Sequence, residues 1–380
     1  MIPYGKQDID QADIDRVVQV LKSDFITQGP LVPEFEQSIC SLVQANFAIA
    51  MNSATSALHV ACMALGVKQN DLVWTTPISF VASANCALYC GAEIDFVDVD
   101  PLTGNITPDA LAAKLARSQK KPKLLIAVHL TGRSCEMDLI HSICSEHGIR
   151  VIEDASHAIG ASFGGEPVGA CQFSDIVIFS FHPVKIITTG EGGVAVTNDE
   201  ALAIRMSELR SHGITKDPTR LTVDSEGPWY YEQQHLGFNY RMTDIHAALG
   251  LSQLRKLSSY VERRNDLVLD YQELLSDLPV HLPEIPDNQV SAWHLYVIHI
   301  KDAEKDRLQV FNSLREQGIG ANVHYIPIYH QPYYQKFQFD PTEFPNAEKY
   351  YSRCITLPLF PTMLKSDQLL VSHALRKALA

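Results

Sequence analysis

The chain has 380 residues, 46% of them hydrophobic and 20% charged, which is typical of a globular protein with one large domain and a smaller one. With 31 basic and 44 acidic residues its formal net charge is −13, which disfavours nucleic acid or an anionic membrane as the main partner. No apolar run approaches a membrane span, the first residues do not resemble a signal peptide, and the eight cysteines form no disulfide pattern, so we expect a reduced, cytoplasmic setting.

Short apolar runs alternate with amphipathic segments from about residue 35 to about residue 250. This alternation predicts an α/β fold, in which helices cover both faces of a mostly parallel sheet. The predicted strands are Phe47–Met51, Leu72–Thr76, Ile94–Val97, Lys123–His129, Arg150–Asp154, Ile176–Phe181 and Gly193–Thr197. The helices predicted between them include Thr55–Leu65, Ser79–Cys90 and Met137–His147.

The pattern changes after Thr243, which is a good cap for a long helix reaching about Ser276. Beyond it we predict strands at Leu295–Ile300 and Ile319–His324, and helices at Asp302–Gln317 and Asp367–Leu379. The sequence therefore predicts a large α/β domain over residues 12–250 and a small α+β domain over residues 251–380.

Two of the predicted strands lead into complementary polar groups. Asp154 ends the run that begins at Arg150, and Lys185 follows the run that ends at Phe181. The carboxyl ends of neighbouring parallel strands meet in one crevice. An amine opposite a carboxylate is what pyridoxal phosphate (PLP) requires, because the lysine forms the Schiff base and the acid holds the pyridinium proton.

Each of these groups also has a structural interpretation. A lysine after a buried strand commonly extends to water, and an aspartate commonly caps a helix. We favour the functional interpretation of Lys185 because Ser180 precedes it and a loop of threonines and glycines follows it, allowing close backbone approach. On a regular strand Glu153 faces away from the crevice, so Asp154 is the preferred acid.

Other segments fit the same site. Asn52–Leu58 follows a strand and opens a helix, so it could seat a phosphate or simply cap the helix. Phe80 could stack on a flat cofactor or pack in the core. His157 could lie near the cofactor ring or be structural. Asn239 could reach the cofactor phosphate of a neighbouring chain in a dimer, or be solvated.

Motifs of other chemistries are missing from the sequence. There is no G-x-G-x-x-G dinucleotide fingerprint, no phosphate-binding P-loop and no H-E-x-x-H zinc motif. His141, Cys144 and His147 have helical spacing but lack a clear fourth ligand, so we predict no metal site.

Taken together, these segments resemble the DegT-type sugar-nucleotide aminotransferases, a family of PLP enzymes of fold type I. The resemblance runs nearly the whole chain through Thr27–Pro30, Asn52–Leu58, Thr76–Ala82, Glu153–Ala158, Phe179–Lys185, Glu191–Gly193 and Asn239–Arg241. It implies PLP as the cofactor, a mostly parallel seven-stranded sheet and a homodimer with shared active sites.

The resemblance also implies roles for individual residues. Lys185 matches the Schiff-base lysine and Asp154 the partner of the ring nitrogen. The other cofactor-binding positions are Ala54, Thr55, Ser56, Phe80, His157, Ser180 and, across the dimer interface, Asn239. The substrate-binding positions, which include one from the N-terminal segment 1–11, are Tyr4, Asp24, Phe25, Ile26, Thr27, Asn322, Val323, His324 and Tyr325.

Within the family the chain is most similar to enzymes of pseudaminic acid biosynthesis. This implies transfer of the amino group of L-glutamate to the 4-keto carbon of a UDP-linked 6-deoxy sugar. The alternatives are a dTDP- or GDP-linked keto sugar of the perosamine type, a nucleotide-sugar oxidoreductase, and a PLP-binding regulator without catalysis. The missing glycine fingerprint disfavours the oxidoreductase, and Lys185 disfavours a dehydratase, since relatives of that kind carry histidine there.

Overall fold

The computed structural model describes residues 1–301 and 306–380. The helices in this part of the chain are α1 Gln11–Leu21, α2 Leu31–Val43, α3 Ala54–Ala64, α4 Ala82–Tyr89, α5 Pro108–Arg117, α6 Met137–Glu146, α7 Glu200–Leu209, α8 Asp244–Leu254, α9 Leu257–Leu274, α10 Arg307–Glu316, α11 Pro345–Arg353 and α12 Lys365–Leu379. The strands are β1 Ile2–Pro3, β2 Phe47–Met51, β3 Leu72–Thr75, β4 Glu93–Phe96, β5 Leu124–Val128, β6 Arg150–Asp154, β7 Ser162–Phe163, β8 Glu166–Pro167, β9 Ile176–Ser180, β10 Gly193–Thr197, β11 Ile214–Thr215, β12 Glu232–Gln233, β13 Val280–His281, β14 Gln289–Val290, β15 Tyr296–Ile300, β16 Ile319–Gly320 and β17 Cys354–Leu357.

The central sheet has seven strands in the order β2-β10-β9-β6-β5-β3-β4. Strands β4, β3, β5, β6 and β9 are parallel to one another, whereas β10 runs antiparallel to both β9 and β2. Each of the seven predicted apolar runs forms one of these strands. The predicted α/β class with a mostly parallel sheet is therefore confirmed.

Helices cover both faces of this sheet, so strands β5, β9 and β10 are buried along their whole length. Alternate side chains of β9 enter opposite cores. Ile176 and Ile178 pack on the side of α3, α4 and α7, whereas Val177 and Phe179 pack on the side of α2 and α8. This arrangement leaves the carboxyl ends of β5, β6 and β9 open at one edge of the sheet.

The C-terminal part forms a second layer around the antiparallel sheet β13-β15-β17. Its core joins residues of α9, α10 and α12, among them Leu267, Leu314 and Leu375. Strand β1 pairs with β16 through Ile2 and Ile319, which ties the N-terminal segment to this part of the molecule. The predicted division at residue 250 stays a prediction, and that residue lies inside α8.

Three predicted elements differ in extent from those observed. The single helix expected from Thr243 to Ser276 is two helices, interrupted where Gln253 and Lys256 bind the buried carboxylate of Asp13 in α1, both at 2.7 Å. Only the first two residues of the predicted strand Ile319–His324 are strand. The predicted helix Asp302–Gln317 begins at Arg307, and its residues 302–305 lie outside the described residues.

The eight cysteines are free thiols and most of them are buried. They fill space as small hydrophobic side chains. Within residues 1–301 and 306–380, we find no helix with the length and apolar character needed to cross a bilayer.

Asp244, at the start of α8, fixes the course of residues 26–31. Its fully buried carboxylate accepts hydrogen bonds from the N–H groups of Gly29 and Leu31, at 2.8 and 2.9 Å. Its own N–H donates to the carbonyl of Ile26 at 3.1 Å. A negative charge at the N-terminus of α2 is favourable, and hydrogen bonds to an ionised acceptor are stronger than neutral ones.

Replacing this carboxylate should therefore destabilise the fold. We expect Asp244→Ala to lower the free energy of unfolding by about 3 kcal/mol, because two N–H groups lose a buried charged acceptor. Asp199→Ala is the matched control, since that exposed carboxylate also accepts two N–H bonds at the start of α7 and should cost about 1 kcal/mol. Equal losses of stability, measured by thermal unfolding, would contradict the special role of Asp244.

Candidate active site

A cavity of about 690 Å³ lies at the carboxyl ends of β5, β6 and β9. This volume is in the range of small-molecule sites. The predicted site residues that line it are Tyr4, Ala54, Thr55, Ser56, Phe80, Asp154, His157, Ser180, Lys185, His324 and Tyr325. The structure thus brings together residues that are far apart in the sequence.

Asp154 ends β6 with its carboxylate buried at the cavity wall. One oxygen, Oδ1, accepts from the hydroxyl and the N–H of Ser156, at 2.6 and 3.2 Å. The other, Oδ2, accepts from the hydroxyl of Ser83 at 2.7 Å. The preceding Glu153 points to the opposite face of the sheet, as expected, where it lies 2.7 Å from His129 Nε2.

Lys185 lies in a loop that closes back on the end of β9. Its N–H donates to the carbonyl of His182 at 2.9 Å. Further along the loop, the Thr188 hydroxyl and the Thr189 N–H both donate to the Phe181 carbonyl, at 2.9 and 3.0 Å. The loop therefore returns to the strand it left, which holds Lys185 at the cavity.

The Lys185 amine is a weaker base than an ordinary lysine. Burial lowers its pKa from 10.5 to about 8, although the negative charge of Asp154 acts to raise it. The shift makes the neutral, nucleophilic form accessible near physiological pH. Burial lowers the pKa of His324 to about 3, and the positive charge of Lys185 acts in the same direction. This imidazole is therefore neutral.

The N-terminus of α3 forms a seat suited to an anion. Ser53 caps the helix by accepting from the N–H of Ser56, and the amides of Ala54 and Thr55 precede the intrahelical hydrogen bonds. Gly193 approaches this turn so closely that a Cβ there would lie 2.3 Å from the Ala54 nitrogen. Only glycine allows β10 to run this near the helix start, as the glycine-rich loop predicted.

His157 is a neutral histidine with a defined tautomer. The N–H of Thr131 donates to Nδ1 at 3.3 Å, so the ring proton lies on Nε2. That nitrogen lies 3.4 Å from the hydroxyl of Tyr325. Burial lowers the His157 pKa well below its ordinary value, and the charge of Lys185 acts in the same direction. His157 therefore contributes an N–H donor.

Aromatic side chains line the outer part of the cavity. Phe80 is 59% exposed, and its ring centroid lies 6.5 Å from that of Tyr325. Tyr4, carried there by β1, lies 5.1 Å from the His324 ring. Burial raises the pKa of both tyrosines, so their hydroxyls stay protonated.

Some predicted substrate positions do not line this cavity in one chain. Asp24–Thr27 lies outside it, with the side chains of Phe25 and Ile26 55% and 51% exposed. Asn322 and Val323 directly precede two lining residues but are not themselves part of the lining. The substrate roles of all these residues stay predictions.

Asn239 also lies apart from the cavity, on the exposed side of its segment. Its neighbours Phe238 and Tyr240 are stacked with ring centroids 4.8 Å apart, and both pack on the ring of His59. The segment is therefore anchored on one side and presents Asn239 on the other. Its predicted contact with a cofactor phosphate needs a second copy of the chain and stays a prediction.

The two serines that bind Asp154 were not predicted from the sequence. Ser156 belongs to the same short segment, but Ser83 is 71 positions away from its partner. The available signal was the spacing of Ser79 and Ser83 by four residues on a predicted helix, which places two hydroxyls on one face. That spacing is common in helices and does not by itself indicate a site.

The chain matches the model of the DegT/DnrJ/EryC1/StrS aminotransferase family over residues 7–376. UDP-4-amino-4,6-dideoxy-N-acetyl-beta-L-altrosamine transaminase from Campylobacter jejuni is 38% identical over 377 residues, which cover 99% of this chain and 96% of the relative. Among solved structures, Helicobacter pylori PseC, an aminotransferase involved in the biosynthesis of pseudoaminic acid, superposes with a TM-score of 0.91 at 32% identity, covering 100% of this chain and 99% of that one. The PLP form of Spr1654 from Streptococcus pneumoniae, described as a sugar aminotransferase, superposes with a TM-score of 0.89 at 29% identity, covering 100% of both chains.

The fold and these similarities define a PLP-dependent sugar aminotransferase. The chain belongs to the DegT/DnrJ/EryC1/StrS aminotransferase family. The cavity fits PLP on independent grounds: a buried carboxylate, an amine of lowered pKa and the amides at the start of α3 that precede its intrahelical hydrogen bonds all meet in it.

The lowered pKa of Lys185 has a measurable consequence in the protein without PLP. Because the neutral amine is the reactive form, acetylation of Lys185 should increase as the pH rises and level off above about pH 8. A lysine model compound should continue to gain reactivity up to about pH 10.4. Trace acetylation of the apoenzyme followed by peptide mass spectrometry measures both, and a Lys185 midpoint near that of the model compound would refute the shift.

Proposed function

We propose that the enzyme transfers the amino group of L-glutamate to the 4-keto carbon of UDP-2-acetamido-2,6-dideoxy-β-L-arabino-hexos-4-ulose. The product is UDP-4-amino-4,6-dideoxy-N-acetyl-β-L-altrosamine, an intermediate of pseudaminic acid biosynthesis. The proposal rests on the similarity to the Campylobacter jejuni transaminase that is named for this amino sugar. The two sequences are 38% identical over nearly the full length of both chains. The similarity to Helicobacter pylori PseC supports the same substrate.

Lys185 is proposed as the nucleophile and as the acid–base group of both half-reactions. When bound, PLP supplies an electron sink that stabilises the negative charge left on a substrate carbon after it loses a proton. In the first half-reaction the neutral Lys185 amine would take up the α-proton of glutamate and pass it to the cofactor, which also keeps the amino group; in the second it would take that proton back and deliver it to C4 of the sugar. A pKa of about 8 suits both roles, since neither protonation state is strongly disfavoured near neutral pH.

Asp154 and His157 are proposed to orient the cofactor and to set its charge. Asp154 would accept the hydrogen bond of the protonated ring nitrogen, because its buried carboxylate already accepts hydrogen bonds from the hydroxyls of Ser83 and Ser156. His157 would donate its Nε2 hydrogen to the ring oxygen, since Thr131 fixes that tautomer. Phe80 would cover one face of the ring.

The phosphate of the cofactor is proposed to bind at the start of α3. Ala54, Thr55, Ser56 and Ser180 all line the cavity, and the amides of Ala54 and Thr55 precede the intrahelical hydrogen bonds of α3. The large negative net charge of the chain makes such a local donor set necessary for an anion. In the homodimer that we propose, Asn239 of a second copy completes this seat.

The sugar nucleotide is proposed to enter over the aromatic side of the cavity. Tyr4, His324 and Tyr325 offer hydroxyl and imidazole groups there, all neutral because burial shifts each pKa away from the charged form. Asp24–Thr27 and Asn322–Val323 would complete the site in the assembled enzyme. We propose that the enzyme acts in the cytoplasm, where nucleotide sugars are made.

The proposed substrate is tested by direct turnover. The protein is incubated with PLP, L-glutamate and the UDP-4-keto sugar, and the amino sugar is identified by mass spectrometry and NMR while 2-oxoglutarate is quantified. We expect the UDP sugar to have a higher kcat/KM than dTDP- or GDP-linked keto sugars. A preference for one of the latter would reject the proposed substrate and keep the aminotransferase class.

The role of Lys185 is tested in the same assay. Lys185→Ala should lower turnover by at least about 10²-fold, because it removes the group that moves the proton. Lys68→Ala, at an exposed lysine remote from the cavity, serves as the control and should leave turnover unchanged. Turnover of Lys185→Ala equal to that of the control would overturn the assignment.

A further inference from the structure

The carboxylate of Asp154 is bound unequally at its two oxygens. Oδ1 receives two donors, the hydroxyl and the N–H of Ser156, which occupy both of its lone pairs. Among residues 1–301 and 306–380, Oδ2 receives one donor, the Ser83 hydroxyl at 2.7 Å. One lone pair on Oδ2 is therefore left for a ligand in the cavity that Asp154 lines.

The hydrogen-bond directions in this cluster are determined by chemistry. An ionised carboxylate only accepts, so the Ser83 hydroxyl must donate to Asp154. The Ser79 hydroxyl lies 2.9 Å from that of Ser83, whose hydrogen is already used. Ser79 must therefore donate to Ser83, and the three groups form a chain with one direction, from Ser79 to Ser83 to Oδ2 of Asp154.

This hydrogen-bond chain of Ser79, Ser83 and Asp154 is shielded from bulk water. Ser83 is 1% exposed, Ser79 5% and Asp154 4%. Ser83 lies in the first turn of α4 and lines the cavity, so the helix itself fixes where its hydroxyl points. Hydrogen bonds in such surroundings are strong, and each donor in a chain polarises the next.

We propose that Ser83, supported by Ser79, is a positioning residue for the cofactor. Its hydroxyl donates a hydrogen bond to Oδ2 of the Asp154 carboxylate and occupies one lone pair of that oxygen. It also fixes the plane of the carboxylate, so that the remaining lone pair of Oδ2 is the acceptor for the ring nitrogen of PLP. This inference rests on the proposed role of Asp154 at the end of β6 and extends it to a residue of helix α4.

The direct test observes the ring nitrogen itself. PLP labelled with ¹⁵N at the ring is bound to the wild-type enzyme and to three variants, and the ¹⁵N chemical shift reports whether the nitrogen is protonated. The variants are Ser83→Ala, which removes the donor, Ser83→Thr, which keeps a hydroxyl, and Ser79→Ala, which removes only the outer donor. Ser134→Ala is the matched control, since its equally buried hydroxyl donates to a backbone carbonyl instead.

We expect Ser83→Ala to move the ring nitrogen toward its unprotonated shift and to titrate it at lower pH than in the wild type. The dissociation constant of PLP should rise about tenfold, as expected for the loss of a hydrogen bond to a charged group. The rise for Ser79→Ala should be about threefold, because it weakens the chain without breaking it. Ser83→Thr and Ser134→Ala should stay close to the wild type.

The outcomes separate this inference from the proposed function. A ring nitrogen that is unprotonated in the wild-type enzyme would reject the role of Asp154 itself. A protonated nitrogen in the wild type with the same shift, titration and PLP affinity in Ser83→Ala would reject the role of Ser83 alone. A fold defect in Ser83→Ala would show in its thermal midpoint. In that case Ser79→Ala decides, because an unchanged titration of the ring nitrogen in that variant would also reject the role of the hydrogen-bond chain.

Discussion

A carboxylate at the end of a buried strand is unfavourable unless donors or a cation face it. In this enzyme Asp154 occupies that place, and the architecture around it supplies the donors: Ser156 from the following turn, Ser83 from α4 and the amine of Lys185 at the same cavity. The parallel order of β5, β6 and β9 is what brings these groups to one edge of the sheet. The cofactor site therefore lies where this edge of the sheet brings a buried carboxylate, its hydroxyl donors and an amine together.

Burial also sets the protonation state of several groups in and near this site. Burial lowers the pKa of Lys185 and also the pKa values of His157, His294 and His324, on which the charge of Lys185 acts in the same direction. The ring of His294 lies 4.4 Å from that of His157, so a charged histidine at either position would face the other. The amine of Lys185 thus has neutral imidazoles near it and the Asp154 carboxylate at the same cavity, and its lowered pKa allows it both to take up and to return a proton.

The sequence allowed a good part of this structure to be predicted, because some of its signals are local. The seven strands are continuous apolar runs, and Asp154 and Lys185 stand out as polar residues directly after two of them. Other features depend on distant partners and left no local pattern. Ser83 binds Asp154 only because α4 packs close to the end of β6. The helix predicted from Thr243 to Ser276 is interrupted where Gln253 and Lys256 bind Asp13 of α1. The positions at 24–27 and at Asn239 lie outside the cavity of one chain, so their predicted roles stay predictions.

The account depends on a covalent bond between PLP and the amine of one lysine. Reduction of the holoenzyme with borohydride, followed by proteolysis and peptide mass spectrometry, locates that bond. The account predicts the mass of a reduced phosphopyridoxyl group on the peptide that contains Lys185, and unmodified peptides for the other lysines. A reduced adduct on a different lysine, or none in a yellow holoenzyme that contains stoichiometric PLP, would contradict it.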